Sequence, residues 1–346
     1  MKYLTLLLLL IPVALAAYFL HWPAWITFTA SSLSILPLAF LMGRATEELA
    51  EHFGPQVGGF LNATLGNAAE LIIAVFAIKE GLLELVKASI TGSILGNILA
   101  VMGASLLLGG LSHGTLRFDR VKAGMRSSML AITLVAIGIP SFFSHTVDEA
   151  HVMSVEYLSL GVAFVMVVLY FLWLVFLIPG ENAELSERHS KGGPVLRPLV
   201  TLVITMVMLA FLSEILASSV EPVVKGLGVT EFFLGIFVIP LVGNVAEHLG
   251  GVTAALKGNM ELSLAISLGS SLQIALLVAP LLVFISLGLG HPLTLVFNAF
   301  ELIALGAAVL VASLISLDGE SNWLEGAQLL AVYLILGLAF FLLPAS

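Results

Sequence analysis

Long, continuous apolar stretches dominate this chain, and few segments mix hydrophobic and polar residues. Most of these stretches approach the length of about 20 residues that a helix needs to cross a bilayer. They predict eleven helical segments, at residues 3–20, 26–49, 57–79, 85–112, 123–143, 153–178, 196–218, 229–256, 261–289, 292–316 and 323–343. The connections are short and polar. The pattern therefore predicts an all-α polytopic membrane protein with eleven transmembrane helices.

Composition supports lipid as the main solvent. Hydrophobic residues make up 60% of the chain and charged residues only 10%, against roughly 25% charged residues in soluble domains. A net charge of −9 argues against nucleic acid as a partner, since that role needs a basic face. The first apolar run could be a signal peptide, but further spans follow at once, which favours a first transmembrane helix.

The basic residues predict the orientation of the chain. With eleven spans, ten of the 13 Lys and Arg residues fall on one side and three on the other. This asymmetry places the N-terminus in the cytoplasm and the C-terminus on the opposite side. We expect an integral membrane protein, located in the plasma membrane if the cell is prokaryotic.

An internal repeat divides the chain into two halves. A shift of 177 residues aligns Gly66–Leu95 with Gly243–Leu272 without a gap. The identical pairs include Gly66 with Gly243, Asn67 with Asn244, Glu70 with Glu247, Glu84 with Glu261, and Gly92 with Gly269. Five spans separate the copies, so the second half is predicted to be inverted relative to the first, a plan common among secondary transporters.

The repeat predicts four parts in the chain. Residues 1–25 form an N-terminal transmembrane helix that is peripheral to the repeats, and residues 26–179 form the first five-helix repeat. Residues 180–197 form a cytoplasmic linker of mildly acidic character, and residues 198–346 form the second, inverted five-helix repeat.

Two glutamates are the strongest functional candidates. Glu70 and Glu247 lie within apolar segments, where a carboxylate costs at least about 2.5–3.5 kcal/mol. No basic residue lies near the middle of either segment to pair with them. Gly66, Gly243 and Pro240 precede the glutamates and favour breaks in the helices. A break can expose carbonyl oxygens to a cation where it lines a cavity.

Further oxygen donors accompany the two carboxylates. The candidate ligands are Asn67, Asn244, Ser93, Asn97, Ser270 and Gln273. An all-oxygen set with two negative charges suits Ca²⁺, whereas Mg²⁺ demands tighter geometry and retained water. A packing role for the individual serines stays open. His248 follows Glu247 directly and either couples protons to the site or faces water. Because the same carboxylates bind H⁺ or Ca²⁺, we expect the two ions to compete.

At these residues the chain resembles the cation/proton exchanger (Ca²⁺/H⁺ antiporter) family of the Ca²⁺/cation antiporter superfamily. The phrases that carry the resemblance are NATLGNAAE, TGSILGN, FFLGIFVIPLVGNVAEH and LGSSLQIALLVAP. The resemblance implies eleven spans, two inverted five-helix repeats and exchange of cytoplasmic Ca²⁺ for external H⁺. It implies Glu70 and Glu247 as the essential acids, the candidate ligands above as their neighbours, and His248 as typical of the family.

Other functions remain as alternatives. A Na⁺/Ca²⁺ exchanger-like antiporter or a passive cation channel could use the same acids, although one acid in each inverted half favours alternating access. The run GLSHG at residues 110–114 matches a hydrolase nucleophile motif but lies where a membrane helix ends, not in a strand–turn–helix. We expect a transporter rather than an enzyme, with Ca²⁺ and H⁺ as transported partners, no organic cofactor and no ATP. A homo-oligomer stays open.

Overall fold

The computed structural model describes residues 2–53, 58, 61–62, 64–147, 152–177 and 195–343. Most of the predicted linker therefore lies outside the described residues. In the first half, a 3₁₀ turn at Leu7–Leu10 follows α1, and a wide π-helical turn at Gly96–Val101 joins α5 to α6. The elements of this half are α1 (Lys2–Leu6), α2 (Ile11–Phe19), α3 (Ala24–His52), α4 (Ala68–Lys79), α5 (Leu83–Leu95), α6 (Met102–His113), β1 (Leu116–Arg117), α7 (Arg120–Ser144) and α8 (Val152–Leu177).

The second half is built from similar pieces. Its π-helical turns, at Leu234–Val238 and Ile274–Val278, precede α11 and α14. Its elements are α9 (Leu196–Leu227), α10 (Glu231–Phe233), α11 (Ile239–Gly243), α12 (Val245–Leu256), α13 (Met260–Gln273), α14 (Ala279–Leu289), α15 (Ala299–Ile315), β2 (Glu320–Ser321) and α16 (Trp323–Leu342).

The described chain is a membrane-type helical bundle. Seven helices are long and apolar enough to cross a membrane, and a bent pair, Glu231–Gly243 with Val245–Leu256, makes up to eight. Shorter apolar helices cover Leu4–Phe19 and Ala299–Ile315. Helices occupy part of each of the eleven predicted segments. The all-α expectation needs one correction, because β1 and β2 form a short antiparallel pair.

Local chemistry corrects two predicted boundaries. Residues 292–298 are not helical, and α15 begins only at Ala299. Asn298 caps this helix, since its side chain accepts from the Glu301 N–H at 2.9 Å and the Glu301 carboxylate accepts from the Asn298 N–H at 2.9 Å. At the other extreme, α9 continues to Leu227, beyond the predicted end at 218, and stops where Gly228 takes a left-handed φ of 67°.

Packing encloses the middle of the bundle and leaves its rim to lipid. The segment Leu83–His113 is 72% buried over its most apolar window, whereas Trp323–Leu342 is only 17% buried. The long helices α3 and α9 pack along each other, and α6 lies against both α12 and α16. The polar residues predicted to form the site lie on α4, α5, α12 and α13 and in the turns next to these helices.

The irregular turns of the two halves fall at related positions. Asn67 precedes α4 and Asn244 separates α11 from α12, and the two residues are 177 apart. The π turns at Gly96–Val101 and Ile274–Val278 also end at positions 177 apart. Such turns are often found at functional sites. The third π turn, Leu234–Val238, lies just before Pro240, which has no N–H for a regular helical bond.

The connections between helices gather at two ends of the bundle. At one end β1 pairs with β2, and the Glu261 carboxylate accepts from the Asp119 N–H at 2.8 Å. At the other end the Glu231 carboxylate accepts from the Leu85 N–H at 3.1 Å, and Gly81 lies beside His291. The first end therefore joins the connections before α7, α13 and α16, and the second joins those before α5, α10 and α15.

Candidate cation site

Both candidate glutamates lie in the first turn of a helix that begins after a break. Glu70 is the third residue of α4 and Glu247 the third of α12, directly after the breaks at Asn67 and Asn244. The break before α12 bends the chain by 65°. A first turn carries unsatisfied N–H groups and a partial positive charge, which offset part of the cost of a carboxylate.

Pro240 lies one turn before the break at Asn244, directly after the π turn Leu234–Val238. It is near the start of α11, while Gly243 ends that helix. The Pro240 carbonyl accepts from the Asn244 backbone N–H at 2.9 Å and from Asn244 Nδ2 at 3.0 Å. Pro240 therefore holds the asparagine at the break in place, whereas Gly66 and Gly243 precede the breaks directly.

Each break is hydrogen-bonded to the opposite half of the chain. Asn67 Nδ2 donates to Gln273 Oε1 at 2.5 Å, and Asn244 Nδ2 donates to Ser93 Oγ at 2.9 Å. These hydrogen bonds use the amide nitrogen of each asparagine, so the amide oxygen remains available as an acceptor or ligand. The two breaks and the helices that carry Ser93 and Gln273 therefore form one polar centre shared between the halves.

Glu70 packs against the break of the second half. A Cβ atom at Gly243 would lie 3.1 Å from Glu70 Cγ and 3.5 Å from Glu70 Oε1. A side chain at position 243 would therefore force Glu70 to shift by a few tenths of an ångström. Gly243 precedes Glu247 by four residues, across the break at Asn244, so Glu70 lies against the segment that carries Glu247.

Four oxygen atoms of this centre are buried and have no hydrogen-bond partner among the described residues: Asn67 Oδ1, both carboxylate oxygens of Glu70, and Asn244 Oδ1. The same holds for Asn97 Oδ1 in the π turn that follows the helix of Ser93. Buried oxygens are normally hydrogen-bonded, so a group of unpartnered ones fits a cation, and Ca²⁺ takes six to eight such ligands. No cluster of three or more His, Asp and Glu residues suited to a metal occurs in the described part of the chain. Amides would therefore have to complete the donor set.

A cavity of about 260 Å³ reaches this centre from one side. Of the predicted site residues, it is lined by Glu247, Ser270, Gln273 and Gly66. Glu70 is buried and is not among the lining residues. One glutamate thus faces an open cavity while the other is enclosed. Glu47 of α3 also lines the cavity.

The remaining predicted residues lie around the centre in different ways. Ser93 is buried and bonded to Asn244, while Asn97 lies in the π turn and is fully buried with no partner for either amide atom among the described residues. His248 lies beside Gly96, where a Cβ atom would be 3.9 Å from its Nε2 atom. That nitrogen is buried and has no hydrogen-bond partner within the described residues.

Sequence reasoning missed one buried acid. Glu301 is only 1% exposed and accepts from the Thr91 hydroxyl at 2.8 Å as well as capping its own helix. The pattern Asn-x-x-Glu at 298–301 is a capping signal that could have identified it. Its hydrogen bond to Thr91 joins α15 to α5.

Glu84 and Glu261, the other acids that match across the repeat, lie in the first turns of their helices. Glu84 forms a 2.5 Å ion pair with Lys87, and its side chain is 64% exposed. Glu261 pairs with Lys122 at 3.4 Å. Neither is among the residues of the polar centre, although Glu261 also holds the connection before α7 through the Asp119 N–H.

Helices broken at a shared polar centre, with one acid from each half, define an integral membrane protein built like a secondary cation transporter. The family profile described as "Sodium/calcium exchanger protein" matches residues 23–179 and 197–342. The chain belongs to this family.

Relatives are similar over nearly their whole length. The chain is 43% identical to a "Ca(2+)/H(+) antiporter" of Aphanothece halophytica, covering 98% of this chain and 96% of the relative. It is 39% identical to the "Ca(2+)/H(+) antiporter ChaA" of Bacillus subtilis, covering 96% and 97%.

Solved structures of two exchangers also resemble this chain over most of its length. The structure titled as the Ca²⁺/H⁺ antiporter protein YfkE matches with a TM-score of 0.88 and 38% identity, covering 99% of this chain and all of that one. The structure of the H⁺/Ca²⁺ exchanger CAX, at 18% identity, shares the fold with a TM-score of 0.71 over 98% of this chain and 91% of that one.

Proposed function

We propose that the protein exchanges Ca²⁺ for H⁺ across a membrane. The observation that carries this proposal is the shared centre, where the two first-turn glutamates and unpartnered amide oxygens meet. The relatives named as Ca²⁺/H⁺ antiporters, at 39–43% identity, point to the same pair of ions.

The proposed chemistry is competition for the same oxygens. Ionised Glu70 and Glu247 bind one Ca²⁺ together with oxygens from Asn67, Asn244 and Asn97. Protonation removes the charge that holds the ion, so the carboxylates carry H⁺ or Ca²⁺ but not both. Two close carboxylates with neither Ca²⁺ nor H⁺ bound would be high in energy in a medium of low dielectric constant. The protein without bound ions would therefore rarely switch between its inward-open and outward-open states. Transport then needs neither ATP nor an organic cofactor.

Other residues hold or serve the site in this scheme. Ser93 and Gln273 fix the two asparagines through the cross-half bonds, and Ser270 lies on the cavity wall where the ion arrives. His248 couples protons to Glu247 from its position beside Gly96.

We propose eleven spans arranged as an N-terminal helix and two inverted five-helix repeats. Helices in each of the eleven predicted segments support this arrangement, as does the sorting of connections into two ends of the bundle. The distribution of Lys and Arg favours a cytoplasmic location for the N-terminus and the β1–β2 end. Glu47 lies near the end of α3 that this topology places in the cytoplasm, so the cavity opens inward.

Uptake of ⁴⁵Ca²⁺ into proteoliposomes tests the function. An imposed pH gradient should drive Ca²⁺ accumulation, and a Na⁺ gradient should have no effect. Uptake that needs Na⁺ and ignores pH would replace the proposal with Na⁺/Ca²⁺ exchange. Ca²⁺ that only runs down its own gradient, without movement of protons, would identify a passive channel.

A further inference from the structure

Glu301 is a buried acid to which the proposed exchange assigns no part. It is 1% exposed in the apolar helix α15, and both of its carboxylate oxygens accept hydrogen bonds. Oε2 accepts from the Asn298 N–H at 2.9 Å, and Oε1 accepts from the Thr91 hydroxyl at 2.8 Å. The first bond caps α15, a role that does not require burial. The hydrogen bond to Thr91 is therefore the contact that places an acid in the interior of the bundle.

Three successive residues of α5 contact three different parts of the bundle. Thr91 donates to the carboxylate of α15. A Cβ atom at Gly92 would collide with the carbonyl of Ile236, so the α5 backbone lies directly against the π turn before α11. Ser93 accepts from Asn244 Nδ2 at 2.9 Å. Because successive residues of a helix point about 100° apart, these contacts hold α5 from several directions.

The contact at Thr91 bears on the polar centre through the next turn of backbone. Ser93 follows Thr91 by two residues on the same helix, so a shift or rotation of α5 at Thr91 also moves Ser93. Ser93 holds the amide nitrogen of Asn244, whose Oδ1 atom is buried without a hydrogen-bond partner among the described residues. The orientation of that oxygen therefore depends on where α5 is fixed.

The matching positions of the second half cannot form this contact. Under the 177-residue shift, Thr91 matches Leu268, which has no hydroxyl group. Glu301 matches Gly124, which has no side chain. In α13 a Cβ atom at Gly269 would meet nothing within 4 Å, and this glycine lines the cavity. The helix of the first half is thus held tightly, while its counterpart borders open space.

We propose that Glu301 is a positioning residue for the Ca²⁺ site, acting through Thr91 to fix Ser93 beside the break of the second half. This inference rests on the proposed function, because it takes the polar centre to be the Ca²⁺ site. Glu301 does not touch the ion in this role. It supplies two hydrogen-bond acceptors that join the start of α15 to α5, so its shape and its hydrogen bonds matter rather than its charge.

Ca²⁺ binding to the purified full-length protein, measured by isothermal titration, tests this role without requiring transport. Thr91→Val preserves the shape of the side chain but removes the hydroxyl group that holds α5 to Glu301. We expect the dissociation constant for Ca²⁺ to rise about tenfold or more, the range for loss of a group that orients a metal ligand.

Two substitutions of Glu301 separate hydrogen bonding from charge. Glu301→Gln should bind Ca²⁺ within about twofold of wild type, because an amide oxygen can accept from the Asn298 N–H while the amide nitrogen donates to Thr91. Glu301→Leu can form neither bond and should weaken Ca²⁺ binding as much as Thr91→Val. A loss of affinity in Glu301→Gln equal to that in Glu301→Leu would overturn the proposal, because it would assign the effect to charge.

A double variant tests whether Thr91 acts through Ser93. If it does, Thr91→Val/Ser93→Ala should bind Ca²⁺ within about twofold of the weaker single variant, because residues in one chain of contacts are not additive. Multiplication of the two single effects would overturn the proposed route.

Ser286→Ala is the matched control. Ser286 of α14 is 0% exposed and its hydroxyl accepts from the Leu293 N–H at 2.8 Å, so the variant loses a buried bond between segments outside the centre. It should lower the melting temperature, as Thr91→Val does, but leave Ca²⁺ affinity unchanged. Wild-type affinity in Thr91→Val, or an equal loss of affinity in Ser286→Ala, would overturn the proposal. Wild-type protein that binds no Ca²⁺ would instead contradict the proposed function itself.

Discussion

At the scale of single residues, the two glutamates share a position in their helices but differ in surroundings. Glu70 is enclosed against the backbone of the opposite break, while Glu247 lies on the cavity wall. In the proposed mechanism, an ion that arrives through the cavity meets Glu247 before Glu70, so the two acids would have different parts in one binding event.

The glutamates should fail together. Glu70→Gln and Glu247→Gln preserve shape, but each removes a charge and a titratable group. Either change alone should bring H⁺-driven ⁴⁵Ca²⁺ uptake near background, and the double variant should be little worse, because residues that act as one unit are strongly non-additive. Glu84→Gln is the control, since Glu84 is paired with Lys87 at an exposed helix start. Transport by the Glu70→Gln variant at the wild-type rate would show that Glu70 is not required for exchange and would contradict the proposed mechanism.

Gly243 should be required for Ca²⁺ affinity rather than for folding. In Gly243→Ala the added methyl group would lie 3.1 Å from Glu70 Cγ and displace that carboxylate. We expect Ca²⁺ binding, measured by isothermal titration, to weaken by about tenfold, since small displacements in a site cost this much or more. Gly226→Ala in α9 has open space around it and should bind like wild type. Equal affinities for both variants would show that Glu70 adapts.

At the scale of elements, the repeat-related glycines Gly92 and Gly269 should respond differently to the same change. A Cβ atom at Gly92 would collide with the backbone carbonyl of Ile236 in a π turn, while one at Gly269 would meet nothing within 4 Å. Gly92→Ala should lower thermal stability in detergent, with overpacking costing about 1–3 kcal/mol. Gly269→Ala should leave it unchanged. Equal melting temperatures for the two variants would contradict the close approach of α5 to this turn.

The helices and the acids were predictable from the sequence, but their contacts were not. Apolar length shows where helices lie, and an unpaired acid such as Glu70 in an apolar run indicates a site. The hydrogen bond between Asn67 and Gln273 joins residues 206 positions apart. From the repeat alone, Ser270 is as good a candidate as Gln273 for the partner of Asn67. The end of α9 depends on Gly228, and the length of an apolar stretch does not show which residue ends the helix.

Some contacts between helices also lay beyond sequence reasoning. A serine every four residues on α13 is equally compatible with helix packing. The structure shows that Ser105 of α6 and Ser267 of α13 both approach Gly251. Glu301 illustrates the reverse case, because its capping pattern is local and was readable in the sequence.

At the scale of the whole molecule, the two ends of the bundle should be reached from opposite sides of the membrane. The chain has no cysteine, so single cysteines at exposed connections give a clean labelling background. Cysteines at Thr115 and Asp318 should react with an impermeant maleimide only from the cytoplasmic side. Cysteines at Thr146 and His291 should react only from the other side. Labelling of all four from one side would contradict the proposed eleven-span topology.

The cross-half hydrogen bonds also bear on how such a chain could have arisen and whether it could revert. If an ancestor paired two identical halves, each asparagine at a break met the same partner. Here the residue matching Gln273 under the 177-residue shift is Gly96, and the one matching His248 is Leu71. A dimer of first halves would present Gly96 where Asn67 needs the Gln273 amide. In a dimer of second halves, Gln273 would take the place of Gly96, and its side chain would fill the space that His248 now occupies beside that glycine. At these positions the two halves are therefore not interchangeable.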